Sequence, residues 1–349
     1  MSPATILVCN AQVPLNRGGA ELHAETLVDH LCARGFRASL VTIPWKWYPP
    51  VQALTHAFLW RMVDLSESNG ERIDLVIGTK FPSYLVQHEN KVVWLIQQFR
   101  QIYDLYDSAE GFPKADDEDR QIRDSLIRVD ELALREARHI FTNSRNTASR
   151  LNRFNGICGE PLHVPPPLIG RFRCEASEGY VLSVGRLDRL KRTELLIDAL
   201  ALTEATVSCI IVGAGERRAT LEQAVERLGL SDRVRFAGAV SADELLDLYA
   251  RCMAVFYAPF DEDYGLVATE ALMSGKPVIT SKDSGGVLDF VQHHASGLVV
   301  DPRADDISAA IDWLASHPAK AAELGSTGRD RVAHLNWDTV IERLVAYSA

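Results

Sequence analysis

The sequence predicts an α/β protein made of two doubly wound, mostly parallel sheets. Three observations carry this reading. The chain has 349 residues, more than a single hydrophobic core usually organises. Short β-branched runs alternate with longer helical patterns, and this rhythm occurs twice, as expected of parallel sheets covered by crossover helices. Between the two series stand Pro165, Pro166 and Pro167, a run that suits neither a sheet interior nor the middle of a helix.

The first series predicts a strand over 6–9, a helix over 19–34, strands over 38–43, 74–78 and 92–96, a long charged helix over 116–138 and a strand over 139–142. That makes about five strands. After the prolines, strands are expected over 180–184, 206–212, 234–236, 255–258, 277–280 and 297–300, with helices between them. The last segment, 337–347, has apolar residues at helical spacing. The expected domains are therefore 1–167, with 335–349 packing back on it, and 168–334. Two Rossmann-like domains of this kind, facing each other across a cleft, predict ligand binding at the carboxyl ends of their strands.

Composition narrows the function. Hydrophobic residues are 47% and charged residues 24% of the chain, and the net charge is -10. This is ordinary globular composition, and its acidic balance argues against a nucleic-acid partner, which needs a basic stripe. The residues following Met1 lack the basic start and long apolar core of a secretory leader. No stretch is long and apolar enough to span a bilayer. A cytoplasmic protein is expected, with any membrane contact peripheral and at the inner face. The six cysteines are scattered and read as reduced core residues.

The most specific motif runs from Asp261 through Glu262, Asp263, Tyr264, Gly265, Leu266 and Val267 to Glu270, between a strand and a helix. Gly265 permits a sharp turn, after which the amides of Leu266 and Val267 can face an anion with the helix dipole behind them. Glu270, about one turn into the helix, can accept hydrogen bonds from ribose hydroxyls. Upstream, the first strand of the second series leads into Gly185, Arg186, Leu187, Asp188, Arg189, Leu190 and Lys191. Fixed cations there could neutralise a phosphate without a metal. Near the start, Asn16, Arg17, Gly18 and Gly19 link the first strand to the first helix, where glycines let backbone amides approach a ligand.

These motifs resemble the retaining glycosyltransferases of family 4, the glycogen-synthase-like enzymes with the GT-B fold, whose signature is a pair of glutamates separated by seven residues. Glu262 and Glu270 match it. The resemblance implies a metal-independent hexosyltransferase that uses a nucleotide-diphosphate sugar as co-substrate and no cofactor. Its acceptor would be a glycan, a lipid-linked sugar or a small molecule, as in polysaccharide or glycoconjugate synthesis. Arg186 and Lys191 would hold the diphosphate and Glu262 the sugar, making these three the catalytic candidates. Gly18, Gly19, Gly185, Gly238, Val240, Gly265, Leu266, Val267 and Glu270 would bind the donor. Many relatives carry a histidine near the donor sugar where this chain has Gln97 and Gln98; with Arg100, these are candidates for sugar or acceptor contacts.

Competing readings are weaker. Asp261, Glu262 and Asp263 imitate a D-x-D metal motif, but its centre already belongs to the glutamate pair. The stretch from Gly213 and Gly215 to Arg218 imitates a dinucleotide fingerprint, but Arg218 stands where close helix packing wants Gly or Ala. The turn at Asp283, Ser284, Gly285 and Gly286 can be purely structural. Trp45, Trp47, Tyr48, Phe58 and Trp60 concentrate aromatics that suit a core, sugar stacking or a membrane interface. A sugar-nucleotide epimerase and a non-catalytic nucleotide-sugar-binding subunit remain as alternative functions.

Overall fold

The computed structural model describes residues 4–15, 18–114 and 116–348. The chain forms two compact units, Met1–Pro167 with Asn336–Ala349, and Leu168–Leu335.

The first unit contains β1 (Thr5–Gln12), α1 (Gly19–Ala33), β2 (Arg37–Pro44) and α2 (Pro50–Met62). A small hairpin follows, β3 (Glu67–Ser68) with β4 (Glu71–Arg72), and then β5 (Leu75–Lys80), β6 (Lys91–Gln97), α3 (Asp117–Arg135), β7 (His139–Thr142), α4 (Arg145–Asn155) and β8 (Glu160–Pro161). Its main sheet has the order β2-β1-β5-β6-β7-β8, and all its pairings are parallel. Strands β5 and β6 are buried almost throughout, because a parallel sheet covered on both faces leaves little strand surface for water.

The expectation of about five strands missed β8, a two-residue strand too short to give a pattern. Helix α2 was also missed. The segment that leads into it and includes it was read only as an aromatic cluster, which divides: Trp45 and Trp60 are core, whereas Tyr48 and Phe58 are exposed.

The final helix, α11 (Trp337–Val345), belongs to this unit. Trp337 stacks on His30 at 4.6 Å, Arg34 pairs with Asp338, and Arg343 pairs with Glu160. Leu335 falls in the other unit, one residue from the expected boundary.

The second unit contains β9 (Tyr180–Val184), α5 (Thr193–Leu202), β10 (Ser208–Val212), α6 (Arg218–Arg227), β11 (Val234–Gly238) and α7 (Ala242–Arg251). It continues with β12 (Ala254–Phe256), α8 (Leu266–Met273), β13 (Val278–Ser281), β14 (Gly297–Val300), α9 (Ala304–Ser316) and α10 (Pro318–Val332). The sheet order is β11-β10-β9-β12-β13-β14. From β9 the chain winds outward through β10 and β11, then returns to the other side of β9 with β12. The order therefore reverses between β9 and β12, and in open α/β sheets ligands bind at such a switch point, beyond the carboxyl ends of the strands. The loops leaving β9 and β12 carry the two strongest sequence motifs.

The cysteine reading is corrected in part. All six are free, but only Cys9, Cys209 and Cys252 are buried, while Cys32, Cys158 and Cys174 are exposed.

Candidate functional site

The site is built from backbone upward on the second unit. Gly185 donates its amide to Val212 O, and Leu187 donates to Ala214 O, both at 3.0 Å. A Cβ on Gly213 would lie 1.9 Å from Gly185 O, and one on Gly215 would lie 2.4 Å from Leu187 O. The glycines that imitate a dinucleotide fingerprint therefore let two loops run in backbone contact. Beyond them, Gly213 donates to Gly238 O at 2.8 Å, and Gly238 has φ +70°. Half-buried Val240 follows, just before α7 is capped by the Ser241 side chain.

The β12 loop is held as tightly. Phe260 donates to Leu190 O and Asp261 to Asp283 O, each at 2.8 Å, while Gly286 donates to Glu262 O at 2.7 Å. A Cβ on Gly286 would sit 2.4 Å from Asp263 O, so the late glycine turn acts as a backbone buttress under Glu262. Asp261 has φ +44°, an uncommon conformation for a residue with a side chain, and the bonds on either side hold it there.

Arg192 welds these loops together. Its guanidinium donates to Ala258 O and Pro259 O at 2.9 Å, to Ser281 Oγ at 2.9 Å, and to both oxygens of Asp283 at 2.9 and 2.8 Å. Burial opposes the charge of Asp283, yet Arg192 and Ser281 hold its carboxyl below the usual range. Sequence reasoning missed Arg192, because nothing in a basic stretch separates the arginine that braces the loop from the lysine beside it.

Within this frame the expected residues come together. Lys191 Nζ donates to Glu262 Oε2 at 2.5 Å and to the Tyr257 hydroxyl at 3.2 Å. Burial works against the ammonium, but Glu262 and Tyr257 outweigh it and raise the lysine above its ordinary value. Arg186 is different: its side chain is 69% exposed and 3.6 Å from Asp188, so its guanidinium is open to solvent. Asp188 itself accepts the Lys191 amide at 3.1 Å, closing the turn that carries the lysine.

Gly265 has φ +93°, and a Cβ there would lie 2.7 Å from Val287 Cγ2, so conformation and space both call for glycine. It begins α8, and no side chain caps that helix. The first amides, Leu266 and Val267, sit where a helix leaves its donors unsatisfied and its dipole is positive. Glu270 lies one turn on and accepts from the Tyr249 hydroxyl at 2.8 Å. Burial pushes its carboxyl up to about 7, against the opposing pull of that hydrogen bond.

Residues 172–331 match the family model described as glycosyl transferases group 1. The match lies within the second unit, Leu168–Leu335. Part of the chain is 34% identical, over 179 residues, to a GDP-mannose-dependent alpha-(1-6)-phosphatidylinositol monomannoside mannosyltransferase of Mycobacterium tuberculosis, covering 48% of this chain and 46% of that protein. The chain thus spans about half the length of the curated relatives it matches. Among solved structures, sucrose-phosphate synthase from Thermosynechococcus elongatus superposes with a TM-score of 0.76 at 21% identity, covering 99% of this chain and 98% of that one. Anabaena HepE, solved in complex with UDP-glucose, does so at 0.71 and 18% identity, with 98% of each chain covered. These likenesses establish the fold, two Rossmann-like α/β units of the GT-B class.

The first unit places its candidates less favourably. Asn16 and Arg17 lie outside the described residues. Gly18 donates its amide to Glu21 Oε2 at 2.9 Å and caps α1 in an extended conformation, φ -127°, so that amide already serves its own helix. Gly19 is the first residue of the helix. Glu21 in turn pairs with Lys80, at the point where this sheet too reverses order, between β1 and β5; neither residue stood out in the sequence.

Gln97 is exposed at the end of β6. Gln98 and Arg100, expected as sugar or acceptor contacts, are instead turned inward. Gln98 donates to Asn155 Oδ1 at 2.9 Å, and Arg100 donates through Nε to Asp104 at 2.9 Å. Both are at most 5% exposed, so packing commits them to the interior.

Proposed function

We propose that this chain is a retaining, metal-independent glycosyltransferase that moves a sugar from a nucleotide-diphosphate donor to a hydroxyl acceptor. One observation carries the proposal: at the switch point of the second unit, the cations Arg186 and Lys191 and the carboxylate of Glu262 stand on the loops leaving β9 and β12, beside the uncapped start of α8 and its Glu270. That assortment suits a ligand with a diphosphate in the middle and hydroxyls at both ends.

In the proposed reaction the bond between the anomeric carbon and the phosphate oxygen breaks, and the acceptor oxygen bonds to that carbon on the same face. The acceptor's proton passes to the departing phosphate. Negative charge grows on the diphosphate as the bond breaks, and Arg186, Lys191 and the Leu266 and Val267 amides are the groups that would stabilise it, in place of a metal. Because Lys191 already bonds Glu262, a phosphate would share a lysine whose position is fixed before it arrives. Glu262 would orient the sugar and Glu270 the ribose, so neither needs to act as a glycosidase acid or nucleophile. The acceptor is assigned to the first unit, with Gln97 the remaining candidate contact there. Exposed Tyr48, Val51, Phe58, Leu59 and Met62 support a lipid-linked acceptor reached by peripheral contact with a membrane.

GDP-mannose and UDP-glucose are the donors to try first, since they appear in the names of the relative and the structural neighbour above. The test is a thermal-shift titration followed by product analysis. A true donor at about 100 times its dissociation constant adds roughly 2.7 kcal/mol of stability, and a glycan, lipid or water acceptor should then yield free nucleoside diphosphate. Binding with inversion of the sugar and no release of nucleotide would make the protein an epimerase. Binding with no chemistry toward a broad acceptor set would make it a carrier.

A further inference from the structure

The Glu270 carboxylate has a partner that the reaction above does not use. Tyr249 stands on α7, is fully buried, and points its hydroxyl at Glu270 Oε2 from 2.8 Å. On its other side its ring lies 6.3 Å from Phe172, edge to face. The phenol therefore cannot follow a wandering carboxylate; the carboxylate must come to it. With one oxygen engaged, the rest of the acceptor capacity of Glu270 is left for a ligand.

We propose that Tyr249 is the positioning residue of the donor site: its hydroxyl fixes the Glu270 carboxylate and favours the anion, so that the nucleotide ribose meets a pre-aimed acceptor. This rests on the reading that Glu270 holds the donor ribose. The chemistry is a balance of two effects. Burial favours the neutral acid, and a phenol hydrogen bond favours the anion. A protonated Glu270 would offer the ribose a weaker acceptor, because charge-assisted hydrogen bonds are the stronger ones.

The surroundings leave this balance to the tyrosine. Besides burial, the hydrogen bond from Tyr249 is what acts on Glu270. Two further titratable groups act on Tyr249 itself, Cys252 just after α7 and Tyr257 just after β12. Strand β13, Val278–Ser281, carries no charged side chain.

The experiment is calorimetric binding of GDP and UDP to the whole chain, as wild type, Tyr249→Phe, Glu270→Gln and Glu270→Ala, from about pH 5.5 to about pH 8.5, a range spanning the carboxyl's displaced titration. Tyr249→Phe removes one oxygen and keeps the ring. For each pKa unit by which Glu270 rises, affinity at pH 7 should fall about fivefold, and the gap should narrow as pH rises. Glu270→Gln should bind weakly and keep only the pH dependence of the nucleotide's own terminal phosphate, whose second ionisation lies at about pH 6. A role for Tyr249 in packing alone would lower affinity equally at every pH.

Tyr249→Phe superimposing on wild type at all pH values, while Glu270→Ala still weakens binding, would overturn this inference and leave the donor reading intact. Failure of wild type to bind either nucleotide would overturn both. The comparison of wild type with Glu270→Gln needs no change at position 249, so it can overturn the inference even if Tyr249→Phe does not fold. A wild-type profile parallel to that of Glu270→Gln across the range overturns the inference.

Discussion

Replacing Glu270 with glutamine should stabilise the protein, by an amount that grows with pH. In the folded chain the carboxyl is displaced from 4.5 to about 7. A folded-state value above the unfolded one means that the native state holds the proton more tightly, so folding loses free energy as pH rises from about 4.5 to about 7 and then levels off. The full displacement corresponds to ~3 kcal/mol. Because the side chain is only partly buried, water screens some of this, and ~2 kcal/mol is the better expectation. Glutamine keeps an oxygen for the Tyr249 hydroxyl and carries no charge to desolvate. For a domain of 150–250 residues, 1 kcal/mol moves Tm by roughly 2–4 °C. Glu270→Gln should therefore melt about 4–8 °C above wild type at pH 8 and close to it at pH 4. Circular dichroism melts at the two pH values, without nucleotide, measure this. An equal difference at both pH values, or a less stable variant at pH 8, would refute the view that this carboxylate is held at a cost to the fold.

Other expectations follow from the loop contacts. Gly213→Ala, whose Cβ would meet Gly185 O at 1.9 Å in a φ +129° conformation, should cost ~2–4 kcal/mol in denaturant unfolding; Gly18→Ala, with ordinary φ and its nearest contact at 3.5 Å, should cost less than ~1 kcal/mol. A similar cost for both would contradict the packing role of the second-unit glycines. Arg192→Lys should lower both stability and nucleotide affinity, since an ammonium cannot replace the two-pronged contact with Asp283; wild-type values for both would remove Arg192 from the site's frame. Transfer should persist in excess EDTA, because Arg186 and Lys191 are assigned the metal's task; complete loss, restored by magnesium or manganese, would return Asp261 and Asp263 to consideration as ligands.

Much of the fold was legible because parallel strands buried on both faces are written as compact apolar runs. Residues 180–184 and 297–300 were placed to the residue. What stayed hidden had no periodic signature. β8 is two residues long, and α2 shows exposed Val51, Phe58, Leu59 and Met62, so no polar face marks it as a surface helix. At the site, glycine and charge in strand-to-helix loops pointed to the right segments. They did not distinguish roles that depend on three-dimensional neighbours. Lys191 and Arg192 are adjacent in sequence, yet one faces Glu262 and the other braces three loops. Gly213 and Gly265 are both turn glycines, yet the first admits a neighbouring backbone and the second starts a helix. Gln98 and Arg100 follow a strand end as ligand-binding residues do, but their partners Asn155 and Asp104 draw them inside.

The central claim is that charge developing on the leaving diphosphate meets Arg186 and Lys191, and single-turnover kinetics of Arg186→Ala and Lys191→Ala with a saturating nucleotide sugar test it most directly. The rate of nucleotide release should fall by about 10²–10³, as when a preorganised donor to a developing anion is removed, and by more than the loss of donor affinity measured in parallel. Near-wild-type turnover in both folded variants would contradict the account.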